Sequence, residues 1–129
     1  MTCFWDGILK SLKKDDFDFI GESKNPNHIF INMLKKRVLP MTHVLWQGNT
    51  IQDREIKEHL DAIKNYDIHE IHNGHLTSTC DSFLLLICEL FQVDIMHHYM
   101  HHDIYYKYNG TSRKILHFSS SNGHFVCSR

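Results

Sequence analysis

No stretch of this chain approaches the roughly 20 consecutive apolar residues that crossing a bilayer requires. The longest apolar run, Phe83 to Cys88, ends at Glu89 and suits a buried helix instead. The first residues lack the charged-then-apolar layout of a secretory leader. Cysteine is sparse: Cys3, Cys80, Cys88 and Cys127 show no Cys-x-x-Cys spacing. That argues against a disulfide framework and for reduced thiols in a reducing compartment. There is no excess of basic charge either. The net charge is -1, with lysine and arginine scattered along the chain, so no basic face points to a nucleic-acid partner. Internal repeats and low-complexity segments are also missing. What remains is one domain, residues 1–129, long enough to bury a real core.

The one abundant residue is histidine, present 12 times. Many of these rings gain charge below about pH 6.5, so pH-dependent behaviour is expected whatever the function.

Four helices are expected from apolar spacing. Phe4, Trp5, Ile8, Leu9 and Leu12 form one buried face over residues 4–13. Asn25-Pro26 is a start signal, with Asn as cap and Pro at the first helical position, for a helix carrying Ile29, Phe30, Met33 and Leu34 and ending before Pro40. Thr50-Ile-Gln-Asp53 resembles a capping box ahead of Ile56, Leu60 and Ile63. Ser78 or Thr79 caps a fourth helix running through Phe91, apolar on nearly every side and therefore central. Beyond it the pattern turns extended. Val93–His97 alternates, Ile104–Tyr108 is rich in β-formers, Ile115–Phe118 follows Asn109-Gly110, and Asn122-Gly123 turns into a last strand, His124–Cys127. Helices ahead of an antiparallel meander make the fold class α+β. The stretches 15–24 and 65–76 carry the least pattern.

Cys3 and His124 carry the chemistry. A thiol in the first turn of a helix meets unsatisfied N–H groups and the positive end of the macrodipole, both of which favour thiolate. An imidazole near it would take the proton. Cys80, Cys88 and Cys127 sit within a helix or strand and read as packing residues, Cys80 least clearly because it lies near a helix start. His124 shares the role of candidate base with His75, His117 and the group His97, His98, His101 and His102, and spacing alone does not choose among them. That group also has the composition of a metal site. In a strand, however, neighbouring rings point to opposite faces, and Asp103 is the only acid nearby, so no metal is assigned.

Taken with the order of elements, two end motifs resemble those of the ovarian tumour (OTU) family of cysteine proteases, small viral members in particular. These are Cys3-Phe4-Trp5-Asp6-Gly7-Ile8, and Ile115-Leu-His-Phe118 followed by Gly123-His124-Phe125. The resemblance implies a papain-like fold with helices packed on a small antiparallel sheet formed mainly by the C-terminal half. It implies a deubiquitinase, that is, a thiol isopeptidase cleaving ubiquitin or a ubiquitin-like modifier from lysine. Cys3 would be nucleophile and His124 base, and the backbone N–H groups of Thr2 and Cys3 would form the oxyanion hole. Trp46 and Phe125 would wall a groove for the modifier's tail. The chain has Met1-Thr2 where the family carries Asp-Gly-x, and Val126 two residues after the histidine, so a backbone carbonyl, Asn122 or a distant acid would orient the imidazole, or the pair would work as a dyad. No cofactor, nucleic acid or membrane is implied. The expected partner is ubiquitin or a similar protein, the expected state a monomer, and the expected location the cytoplasm (host cytosol for a viral protein). The alternatives are a catalytically weak or inactive binding module of the same fold, and a histidine-rich metal-binding protein.

Overall fold

The computed structural model describes residues 3–68, 77–121 and 124–128, with 77–80 described by backbone alone. Five helices and six strands occur among these residues. Helix α1, Cys3–Ser11, buries Phe4, Trp5 and Ile8 on the expected face. Helix α2, Lys14–Ile20, falls largely in a stretch that carried little sequence pattern. Its signals are local: Asp16 accepts the Lys13 backbone N–H at 2.7 Å, Phe17 and Ile20 turn inward, and Gly21 ends it at φ 73°. Seven residues are too few for a helical period to show.

Helix α3, Asn27–Lys36, starts one residue later than expected. Pro26 rather than Asn25 takes the capping place, and the buried face is Phe30, Ile31 and Leu34, leaving Ile29 exposed. Helix α4, Asp53–Lys64, is preceded by Gln52, which makes no side-chain cap, so the Thr50 capping box does not form. Thr50 belongs instead to a strand. Helix α5, Thr77–Phe91, is the central element, with every residue from 82 to 89 buried.

The strands are β1 (Val44–Trp46), β2 (Asn49–Thr50), β3 (Asp94–Tyr99), β4 (His102–Tyr108), β5 (Ile115–Ser121) and β6 (His124–Cys127). They form one sheet in the order β2-β1-β4-β3-β5-β6. The β1–β2 hairpin was not anticipated. Its turn, Gln47-Gly48, has positive φ at both residues, 53° and 82°, as a two-residue hairpin turn of the I′ kind demands. The expected antiparallel meander is also corrected, because β3 and β5 pair in parallel and the sheet is mixed.

The cause lies in residues 109–114, which carry the chain from β4 across the start of β3. Buried Asp94 anchors that crossing. Its carboxylate accepts hydrogen bonds from the Tyr108 N–H at 2.8 Å and the Ser112 hydroxyl at 3.2 Å, while its own N–H donates to the Lys114 carbonyl at 2.9 Å. Arg113 and Lys114 then reach Asp16 of α2, each at 2.9 Å, tying the crossing to the helical layer.

Strand alternation gives the sheet two unlike faces. Ile95, His97, Tyr106, Leu116, Phe118 and Phe125 are buried beneath the helices. Met96, His98, His117, His124 and Val126 belong to the other face and range from half-buried to exposed.

Candidate functional site

The two ends of the described chain meet through α1 and β6. The Phe4 ring lies 4.8 Å from that of Phe125, centroid to centroid. Gly7 lets the contact close: a Cβ there would stand 2.9 Å from the Phe125 ring and 3.5 Å from the backbone nitrogen of Cys127. Phe4 and Gly7, one turn apart on α1, both meet Phe125, and Gly7 also approaches the Cys127 backbone. Cys3 directly precedes Phe4 and His124 directly precedes Phe125, so the two groups flank one contact between the elements.

Cys3 is half-buried in the first turn of α1. Asp6, one turn further on, accepts a hydrogen bond from the Asn27 amide at 2.9 Å, so the start of α3 borders the same turn. The His124 ring is exposed. Phe125 is 1% exposed and faces the helix, so the alternation of β6 turns His124 and Val126 toward the uncovered face. The structure thus brings together the elements that carry the two groups, with the imidazole at the sheet edge rather than beneath α1.

Other expected site residues fall elsewhere. Thr2 and Asn122 lie outside the described residues, as do His75 and the side chain of Cys80. Phe125 does not wall a groove: it is core, packed on Phe4, on Phe118 at 4.8 Å and on His97 at 5.2 Å. Trp46 sits in β1, four strand spacings from β6, roughly 19 Å across the sheet. The two aromatics therefore do not share one narrow channel.

Among the thiols, Cys88 is buried in α5. Burial pushes its ionisation far upward, and the nearby charges of Asp94 and Glu89 add to this, so it stays a thiol. Cys127 is half-buried beside α1.

The histidine group is split as alternation requires. His97 is buried, and its Nε2 shares a 2.6 Å hydrogen bond with the Ser120 hydroxyl. His98 points the other way and bonds exposed Asp103. Met100 and His101 form the turn between β3 and β4, with Met100 at φ 52°. Among the described residues, no group of three or more His, Cys, Asp or Glu side chains converges as a metal site would need.

Sequence reasoning missed several polar pairs that the fold creates. Buried Glu89 accepts the His43 N–H at 2.7 Å and lies 2.9 Å from its Nδ1. His59 Nδ1 lies 2.8 Å from the Ser82 hydroxyl, and the Tyr106 hydroxyl donates to Asp81 at 2.9 Å. Burial pushes the Asp81 carboxyl above its usual range, with the Tyr106 bond opposing. Each pair joins residues at least 23 positions apart, beyond any local signal.

No protein-family model, curated protein or solved structure matches the chain. Among the described residues, no helix is long and apolar enough to cross a membrane.

Proposed function

We propose that the chain is a cysteine isopeptidase of the OTU type, acting on ubiquitin or a ubiquitin-like modifier joined to lysine. One observation carries this reading. Helix α1 and strand β6 pack together through Phe4 and Phe125, the residues that directly follow Cys3 and His124. In the proposed reaction the His124 ring swings from the uncovered face around the β6 edge to accept the Cys3 proton, and the thiolate sulfur attacks the carbonyl carbon of the modifier's last residue. Main-chain N–H groups at the start of α1 hold the oxyanion. His124 then gives its proton to the leaving lysine amine, and water hydrolyses the thioester to release the modifier and restore the thiol. No cofactor enters the scheme.

The test is a ubiquitin probe with a C-terminal electrophile, applied to the wild type and to Cys3→Ala and His124→Ala variants. The expected result is a single covalent adduct on Cys3, absent in Cys3→Ala and slowed at least a hundredfold in His124→Ala. Adduct formation at Cys80 or Cys127, or undiminished labelling of His124→Ala, would overturn the assignment.

A second reading, a binding module of the same fold without turnover, is favoured by the outward turn of the His124 ring. It predicts no adduct with the probe and saturable binding of unmodified ubiquitin.

A further inference from the structure

At the sheet edge farthest from β6, the β1–β2 hairpin and the start of α4 enclose an open cleft lined by Trp46, Asn49, Thr50, Ile51, Gln52 and Glu55. Its aromatic wall is fixed. Trp46 stacks on Tyr106 at 6.0 Å with the planes 14° apart, and it meets the His59 ring edge-on at 5.6 Å. The acceptors are arranged around it. The Asn49 amide nitrogen leans toward the Gln47 carbonyl at 3.4 Å, which leaves its oxygen available.

Glu55 is half-buried, and among the described residues no lysine or arginine pairs with it, whereas two acids further along α4 do find partners: Glu58 with Arg54 and Asp61 with Lys57. The nearest ionisable ring is His59, in which burial disfavours the proton more strongly than Glu55 and Glu58 favour it. At neutral pH that ring is uncharged and leaves Glu55 unneutralised.

The sign of the cleft follows from magnitudes. The terminus of α4 contributes about half a positive charge, while Glu55, the one ionisable side chain among the residues lining the cleft, contributes a full negative one. The cleft is therefore net anionic.

We propose that this cleft binds the guanidinium of an arginine side chain presented by a peptide segment of a partner. A planar cation stacks on an indole face, and its fork of N–H donors matches a carboxylate flanked by amide and hydroxyl oxygens. A lysine ammonium would satisfy the charge but not the planar stack. The site lies roughly 19 Å across the sheet from the end of β6 and does not depend on the chemistry proposed for Cys3.

The experiment is an amide NMR titration at pH 7.5 with the capped tripeptide acetyl-Gly-Arg-Gly-amide, run beside its citrulline and norleucine analogues. Saturable shifts are expected at the Trp46 indole N–H and at the Asn49 and Gln52 side-chain amides with the arginine peptide alone. Glu55→Gln is expected to weaken that binding about two- to fivefold, the size of a partly exposed ion pair, and raising the salt on the wild type should weaken it in the same direction. Cys3→Ala should bind as the wild type does. Absence of saturable shifts, an equal response to the citrulline or norleucine peptide, or unchanged affinity in Glu55→Gln would overturn the proposal.

Discussion

Asp16 shows how one side chain can hold two layers together. It is wholly buried, and burial alone would push its carboxyl upward. The Lys13 backbone N–H, the Lys114 ammonium and the Arg113 guanidinium together outweigh that cost and hold it below the ordinary carboxylate range. A lowered native value means the unfolded chain takes the proton first as acid is added. The stabilisation is therefore present above about pH 4 and is lost as pH falls through the native value. Asp16→Asn keeps the shape but strands two cations, one of them also resting on the Phe19 ring at 4.4 Å. Its expected cost is about 3 kcal/mol at pH 7, the low end for breaking a buried pair, because Asp15 lies 3.5 and 3.6 Å from the same two cations. Urea unfolding at pH 7 and pH 3 measures it. The deficit should shrink at the lower pH, and a constant deficit would mean that the ion pairs are not its source.

Between elements, the contact that matters most is that of α1 on β6, and Gly7 governs its closeness. In an exposed helix, Gly→Ala is stabilising by about 1 kcal/mol. Here the new methyl would meet the Phe125 ring at 2.9 Å, and Phe4, Phe118 and His97 hem that ring in. Overpacking of this sort costs roughly 1–3 kcal/mol. Gly7→Ala is therefore expected to destabilise by about 1 kcal/mol, and a more stable variant in urea unfolding would show that Phe125 yields freely. Helix α1 was legible because Phe4, Trp5 and Ile8 keep a helical period. Strand β6 was legible from the Asn-Gly signal ahead of it. Their adjacency was not, since nothing in either segment names the other. Helix α2 escaped for a different reason: its one turn of apolar spacing is shorter than the window in which a period is recognised.

At the scale of the whole molecule, acid acts through more than one group. Burial holds the His59 proton affinity below that of a free imidazole despite Glu55 and Glu58. The unfolded chain thus gains that proton first, and stability declines as pH falls below about 6.5. Asp81 works in the opposite sense, since its raised native value favours the folded state in acid. Thermal melts from pH 7.5 to 5 should show an early loss that His59→Gln removes; a loss of equal size in that variant would place its origin in another histidine.

Composition and local period were enough to point to an α+β fold, the apolar helix at its centre, and a thiol at the start of the first helix. These follow from side-chain spacing and from capping chemistry, which act within a few residues. The mixed sheet, the parallel pairing of β3 with β5, the core position of Phe125 and the separation of Trp46 from β6 were decided only when the chain closed. Strand partners are selected by burial and by satisfaction of groups such as Asp94 across distant segments, and a sequence carries no local record of that choice.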